Sequence, residues 1–254
     1  MRKIMDTHIH LDKYKDEEIS EILSEVDALV SVSMNLESCK RNYSLAKIHP
    51  TIRPAFGWHP EQELPSDEKL AQLFSWIQET KDESIAIGEV GLPYYLREKN
   101  KLAQSYAQYI EVLESFIKLA VRLDKPIALH AVYDDAHIVC DLLEKHTVKK
   151  AHFHWFKGDK KTVERLKTNK YHISVTPDLL YEGEIRELVQ EYPLNLMMVE
   201  TDGPWPFKGP FVEQQTRPRM IHHTIAEISR IKGIELDGVY KQIYLNSNEF
   251  YVVK

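Results

Sequence analysis

The sequence predicts an α/β protein in which residues 1–254 form one (β/α)8 barrel, also called a TIM barrel, as a single domain. Three observations favour this fold. Short apolar runs alternate with longer amphipathic segments, which is typical of a parallel sheet covered by helices. The chain contains eight such runs, and eight strand–helix units in about 250 residues is the usual size of this barrel. Finally, no Gly- or Ser-rich linker and no internal repeat divides the sequence.

The elements follow one another in a regular order along the chain. The apolar runs that predict strands are 3–8, 28–34, 52–58, 85–92, 127–132, 151–156, 172–176 and 196–201. Apolar residues at helical spacing predict helices over 16–26, 66–80, 100–123, 136–146, 160–167 and 219–231. A doubly wound open sheet is the competing fold. Because no GxGxxG segment follows any of the runs, the dinucleotide-binding version of that fold is disfavoured.

Composition excludes several classes of protein. With 43% hydrophobic residues the chain can bury a sizeable core, which argues against intrinsic disorder. The net charge of -6 argues against a broadly basic nucleic-acid-binding surface. It does not exclude a nuclease, because metal ions can supply the positive charge that phosphate needs.

The same composition bears on location. No run approaches the ~20 uninterrupted apolar residues of a membrane span, and the first residues lack the apolar core of a signal peptide. Cys39 and Cys140 are far apart and form no CxxC pair, so we expect neither a disulfide framework nor a thiolate zinc site. We therefore expect a cytoplasmic protein without membrane association.

Residue types that commonly bind metals occur where the predicted strands end. In this type of barrel the active site lies at the carboxyl ends of the strands. His8 and His10 end the first strand, and residues two apart on a strand face the same side, so both imidazoles can bind one ion. Later strand ends carry Glu89, His130, His152 with His154, and Glu200 with Asp202. Each of these alone would more often be a structural group. Together they predict a metal site, because buried charges are costly unless they are paired or metal-bound.

The order of these motifs resembles that of the TatD-type deoxyribonucleases, which belong to the amidohydrolase-like barrels. The shared pattern is His-x-His on strand one, Glu on strand four, His on strands five and six, and Asp on strand eight. The segments that carry it are DTHIHLD from Asp6, FGWHP from Phe56, AIGEVGLPYY from Ala86, HWFKG from His154 and VETDGP from Val199. Asn248-Glu249-Phe250 also resembles the closing helix of the family. The resemblance covers nearly the whole chain.

The resemblance implies a cofactor of two divalent metal ions. The first would be held by His8, His10, Glu89 and Asp202, and the second by Glu89, His130 and His154. Glu89 would bridge the ions, which suits the ~3.5–4 Å spacing of two-metal sites. Imidazole with carboxylate favours Zn or Mn, and Mg is a further candidate.

Two of these ligands are also the expected catalytic residues, Glu89 as the bridge and Asp202 as the general base for a metal-activated water. Asp202 could equally be only a ligand. His152 shares the inward face of its strand with His154. Because His154 opens the family's HWFKG segment, we expect His152 one layer below the metal centre.

Four further residues are candidates for substrate binding. His59 could donate to a phosphate or carbonyl oxygen, or be a histidine of the turn. Lys157 could neutralise an anionic group, or be an ordinary solvated lysine. Tyr95 and Trp205, with Tyr94, could stack on a base or sugar, or pack at the barrel rim.

The resemblance implies a metal-dependent hydrolase that cleaves phosphodiester bonds, with DNA attacked from an end as the first hypothesis. The chain departs from the family at Pro93, where many members have Asp, and at Val132, where many have Arg. Arginine suits bidentate phosphate contact, so its loss favours a second hypothesis, an amidohydrolase-type hydrolase of a small phosphoester, ester or amide. A non-enzymatic metal-binding barrel is the third, and it is disfavoured because no structural need calls for six ligands at a barrel mouth.

The mouth of the barrel should separate the first two hypotheses. A wide, positively lined groove would favour DNA. A closed pocket lined by Tyr94, Tyr95 and Trp205 would favour a small substrate. We also expect a monomer, because one barrel of this size is self-sufficient.

Overall fold

The computed structural model describes residues 2–251, and its eight strands form one parallel sheet in sequential order. The strands are β1 (Met5–Ile9), β2 (Ala28–Val32), β3 (Ile52–Phe56), β4 (Ala86–Gly91), β5 (Ile127–His130), β6 (Ala151–Phe153), β7 (His172–Val175) and β8 (Met197–Val199). Each pairs in parallel with the next, from β1 with β2 to β7 with β8. Every strand lies within one of the predicted runs or extends one residue beyond it, so the barrel prediction is confirmed.

The sheet closes where the chain leaving β8 meets β1. The backbone N–H of Asp202 donates to the carbonyl of His8 at 2.8 Å, and the N–H of His10 donates to the carbonyl of Gly203 at 2.8 Å. These two bonds place the carboxyl ends of the first and last strands side by side. Residues 194 positions apart in the sequence therefore become neighbours at the same end of the barrel.

Helices surround the sheet. They are α1 (Asp16–Ser24), α2 (Leu36–Ile48), α3 (Asp67–Glu79), α4 (Tyr94–Glu98), α5 (Tyr106–Leu123), α6 (Asp134–Lys145), α7 (Lys160–Thr168), α8 (Gly183–Glu191), α9 (Ile221–Lys232) and α10 (Leu236–Tyr251). All six predicted helices are present, and α2, α4 and α8 were not predicted. Within residues 2–251, no helix is both long enough and apolar enough to cross a bilayer.

One helix boundary was predicted wrongly. The helix expected over 100–123 begins only at Tyr106, because Ser105 caps it. The N–H of Ser105 donates to the side chain of Gln108 at 3.0 Å, and the Ser105 side chain accepts from the N–H of Gln108 in return. This reciprocal capping fixes the helix start, so residues 100–105 belong to the preceding loop.

The two apolar clusters described next lie outside the sheet and at the amino end of the barrel. The main apolar core lies between sheet and helices, and it includes Phe116, Leu129 and Cys140, all fully buried. The burial of Cys140 was predicted from its place on the apolar face of its helix. A second cluster joins strand residues to Phe250 and Tyr251 of α10 and fills the amino end of the barrel. The buried polar side chains of His8, Glu89 and His154 lie at the opposite end.

Candidate metal centre

His8 and His10 lie at the end of β1 with their Nε2 atoms directed at two carboxylates. The two Nε2 atoms are 3.1 and 3.3 Å from Oε2 of Glu89, and 3.6 and 3.4 Å from Oδ1 of Asp202. Asp202 adopts a φ of +49°, a left-handed conformation that side chains rarely occupy outside constrained sites. These four residues form one cluster of ligand-type atoms.

The other oxygen of Glu89 faces a second pair of histidines. Its Oε1 lies 2.9 Å from Nδ1 of His130 and 2.7 Å from Nε2 of His154. The Glu89 side chain is completely buried, so neither oxygen has an alternative in solvent. The structure thus brings together all six residues that the sequence predicted as metal ligands. It also gives each Glu89 oxygen its own set of partners.

Charges in this cluster depend strongly on one another. Burial opposes ionisation of Glu89, yet the positive charge shared among the surrounding imidazoles holds its pKa well below its usual range. Burial lowers the pKa of His8. It also opposes the charged form of His10, but the nearby carboxylates of Asp202 and Glu89, at 3.4 and 3.3 Å, outweigh it and raise its pKa to about 9. When no ion is bound, a proton on His10 offsets the carboxylate charge, so metal binding should release protons.

The donor set fits divalent cations. Three groups place their ligand atoms within 4.8 Å of one another, namely His8 with Glu89 and His154, His8 with His10 and Asp202, and His10 with His59 and Glu89. Oδ1 of Asp202 is buried and has no hydrogen-bond partner among residues 2–251. A buried carboxylate oxygen without a partner is costly, and a cation would satisfy it. Imidazole with carboxylate is a donor set that Zn and Mn accept.

His59 is better suited to donate a hydrogen bond than to bind a metal. Its Nδ1 accepts the backbone N–H of Glu61 at 3.1 Å, so the ring proton of a neutral His59 sits on Nε2. That Nε2 lies 3.4 Å from Oε1 of Glu89 and borders the cavity above the cluster. Burial lowers the pKa of His59 well below its ordinary value, which keeps the ring neutral. Donation to a substrate oxygen is compatible with this geometry and stays a prediction.

A cavity of about 500 Å³ opens above the metal centre. Tyr95, Trp155 and Trp205 contribute aromatic walls, and Tyr95 and Trp205 keep 40% and 43% of their surface exposed. Among residues 2–251, Lys99 is the one lysine or arginine on its wall, and the carboxylates of Glu61 and Asp202 line it as well. Sequence reasoning found Tyr95 and Trp205 here but missed Trp155, Lys99 and Glu61.

Two residues expected at the mouth lie elsewhere. Lys157 does not line this cavity, because its ammonium sits 3.5 Å from the carboxylate of Asp178 and above the ring of Trp155. Tyr94 packs against Tyr95 and Tyr133 and is not part of the cavity wall. Val132 does line it, at the position where many family members have arginine.

A polar layer lies beneath the ligands. His152 is in it, as expected, with Nδ1 2.6 Å from the Tyr251 hydroxyl and Nε2 2.6 Å from the hydroxyl of Ser174. Ser174 in turn donates to Glu200, whose Oε1 lies 3.5 Å from Nδ1 of His154. Glu200 is thus a carboxylate behind a predicted metal ligand. Its sequence signal was its place at a strand end, which alone does not distinguish this role from ligation.

Known proteins are similar to this chain in sequence and in fold. The family model for TatD-related DNases matches residues 5–252. An uncharacterized metal-dependent hydrolase of Haemophilus influenzae is 39% identical over 251 residues, covering 98% of this chain and 99% of the relative. The human deoxyribonuclease TATDN3 is 27% identical over 262 residues, covering 98% and 94%.

Among solved structures, YjjV, a TatD homologue from Escherichia coli K12, has the same fold. It superposes with a TM-score of 0.88 at 23% identity, over 100% of this chain and 99% of that one. Because the family model spans nearly the whole sequence and the Haemophilus relative exceeds 30% identity over its full length, the chain belongs to the family of TatD-related DNases and is a metal-dependent hydrolase.

Proposed function

We propose that this protein uses two divalent ions to hydrolyse phosphodiester bonds and that it removes nucleotides from an end of DNA. The placement of Glu89 is the observation that carries the two-ion proposal. One of its oxygens faces His8 and His10, and the other faces His130 and His154. A carboxylate so placed can give one oxygen to each cation, which is how bridging ligands hold two-metal sites. Zn, Mn and Mg are the candidate metals.

The chain's own residues supply the remaining chemistry. When bound, the ions provide positive charge at the scissile phosphate and a water of lowered pKa. In this proposal Asp202 would also be the general base and accept the proton of the attacking water. His59 lines the cavity, and its Nε2–H would donate to a substrate oxygen. Tyr95 and Trp205 offer exposed aromatic faces for a terminal base.

Hydrolysis of a small phosphoester, ester or amide is the second candidate, and the cavity favours it. A wall with one lysine, two carboxylates and several aromatic rings gives little positive charge of its own for an extended phosphate backbone. At about 500 Å³ the cavity suits one nucleotide or a molecule of that size. The name of the human relative, a deoxyribonuclease, favours DNA. An enzyme that takes a single terminal nucleotide into the cavity satisfies both observations.

A hydrolase screen tests the proposal directly. Purified protein would be incubated with Mg, Mn or Zn and with single-stranded DNA, small phosphodiesters and carboxylic esters. We expect cleavage of linear single-stranded DNA and none of circular single-stranded DNA, which offers no end. If no metal supports cleavage of any phosphodiester, the proposed function is wrong. Cleavage of esters or amides alone would establish the second candidate.

Three further properties are part of the proposal. All eight strands lie in one sheet, which supports a single domain over residues 1–254. One barrel of this size buries a complete core without a partner, which supports a monomer. Cys39 and Cys140 are both free and buried, which is compatible with a reducing cytoplasm.

A further inference from the structure

Trp155 forms part of the cavity wall and directly follows the predicted metal ligand His154. It lines the same cavity as His154 and Asp202, so a molecule that lies against its ring also lies beside the metal centre. The residue has a φ of +38°, in the left-handed region that residues other than glycine rarely occupy. Because such a conformation costs energy, it persists only where surrounding contacts impose it, and it is common at ligand-binding sites.

Three contacts fix Trp155 in this position. Its backbone N–H donates to Oε1 of Glu200 at 2.7 Å, and its indole Nε1–H donates to Oδ2 of Asp178 at 2.6 Å. The ring of the buried Phe207 packs against the indole, with 5.7 Å between the ring centroids. Trp155 is therefore held by its backbone, by the polar edge of its indole and by a neighbouring ring, although it remains only partly buried.

Asp178 is suited to hold the indole because it is itself fixed. It is buried just after β7, and the hydroxyl of Thr176 donates to its Oδ1. Neither Asp178 nor Lys157, whose ammonium lies 5.4 Å from the centroid of the indole, lines the cavity. The indole N–H is thus engaged outside the cavity and is not available to a ligand. What Trp155 can offer inside the cavity is aromatic surface, which binds a nucleobase by stacking.

The other two aromatic walls are less constrained, since Tyr95 and Trp205 are exposed. A ring that is already fixed loses less conformational entropy when a ligand stacks on it. We propose that Trp155 is the stacking surface for the terminal nucleobase of the substrate and that Asp178 is the positioning residue that holds it. This inference rests on the proposed function, because it describes the substrate as a chain whose end carries a base.

Calorimetry with two probes tests the stacking. Deoxyadenosine monophosphate and deoxyribose phosphate share a sugar and a phosphate, but only the first carries a base. We expect the Mn-loaded wild-type protein to bind the first probe about 10–100-fold more tightly. Trp155→Leu should remove most of this difference without changing the binding of deoxyribose phosphate, and Trp155→Phe should restore part of it.

Equal affinities of the two probes in wild type, or equal losses for both in Trp155→Leu, would overturn the role of Trp155. Neither result depends on turnover. The hydrolysis screen detects cleavage without reference to the base, so the proposed function and the stacking role can fail separately.

Asp178→Ala tests the positioning role, with Asp82→Ala as the matched control. Asp82 is exposed and lies before β4, at the amino end of the barrel. Deoxyadenosine monophosphate should bind about 3–10-fold more weakly to Asp178→Ala, as expected for loss of one hydrogen bond, and deoxyribose phosphate should bind as before. Asp178→Asn, which keeps an acceptor oxygen, should restore the affinity, and the control should match wild type.

NMR of the indole N–H groups measures the contact itself. The chain has four tryptophans, and the indole signal that is missing from Trp155→Phe belongs to Trp155. We expect this proton to exchange slowly with solvent in wild type and rapidly in Asp178→Ala. Rapid exchange in wild type, or slow exchange with unchanged probe affinities in Asp178→Ala, would overturn the role of Asp178.

Discussion

The two halves of the metal centre are held in place by different means. The first half, His8, His10 and Asp202, is fixed by the main chain, since backbone bonds join Asp202 to His8 and His10 to Gly203. The second half, His130 and His154, is backed by side chains. Glu61 lies 3.4 Å from the outer nitrogen of His130, and Glu200 lies 3.5 Å from that of His154.

This difference has a practical meaning. Main-chain bonds survive most substitutions, whereas one side-chain change removes an outer carboxylate. The outer ring nitrogens of all four histidines lack a hydrogen-bond partner within residues 2–251, but those of His130 and His154 have a carboxylate at 3.4 and 3.5 Å. We therefore expect the second half to be the more easily loosened by mutation.

Glu89→Gln should have the largest effect, because Glu89 belongs to both halves. An amide cannot offer an anionic oxygen to each cation, so both ions should bind more weakly. We expect turnover to fall by more than the ~10²–10⁴-fold that a single general base contributes. Elemental analysis and rate measurements check this, with the exposed Glu68→Gln as a control. Two full metal equivalents with unchanged turnover would show that Glu89 does not bridge.

Asp202→Asn should lower turnover while affecting only the first half of the metal centre. If Asp202 is the general base, turnover falls about 10²–10⁴-fold. The second ion should keep its affinity, because Asp202 lies on the side of His8 and His10. Parallel metal titration and kinetics separate the two effects. A rate near that of wild type would remove Asp202 from the mechanism.

Glu200→Gln should loosen the second half and leave the first intact. Glu200 accepts from Ser174 and from the N–H of Trp155, so an amide there disturbs the acceptor behind His154. We expect the second ion to bind roughly 10–100-fold more weakly. The exposed Glu187→Gln on α8 serves as the control. Equal weakening of both ions would contradict the separation of the halves.

Trp205→Ala should weaken substrate binding without changing either half of the metal centre. Stacking on a base contributes about 1–3 kcal/mol, and the 43% exposure of Trp205 places it at the lower end. An effect of about 1 kcal/mol raises KM roughly fivefold with kcat unchanged. Steady-state kinetics on a DNA oligonucleotide would measure it. A fall in kcat at constant KM would instead place Trp205 in the chemical step.

Lys157→Ala should have the smallest effect. Because the ammonium lies beside Asp178 and away from the cavity, we expect KM to change by no more than about twofold, the range of ordinary surface substitutions. A tenfold rise in KM would mean that Lys157 reaches the substrate after all.

The sequence predicted the barrel well because its signal is repeated eight times. Each buried strand of a parallel sheet is a short apolar run, and a run is visible without knowing its neighbours. The clustering of the candidate ligands was predictable for the same reason, since these residues follow the runs directly. The start of α5 was misplaced because apolar spacing does not mark a cap, and Ser105 with Gln108 decides the boundary.

Loop residues could not be predicted in this way. Glu61 lies in an irregular segment, and nothing in its spacing connects it to His130, 69 positions later. Lys157 looked available because its partner Asp178 lies on another loop, beyond β7. A contact between two loops depends on the closed barrel that carries both, so it becomes visible only in three dimensions.

The contact between the ends of β1 and β8 also bears on when, during synthesis, the protein can become active. The carbonyl of His8 receives the N–H of Asp202 from 194 positions further along the chain. During synthesis the amino-terminal strands emerge first, and such a long-range contact must wait for the last strand. A growing chain that ends before β8 carries five of the six ligands but lacks Asp202 and the bonds that align β1. We therefore expect the nascent chain to be inactive until its barrel is complete.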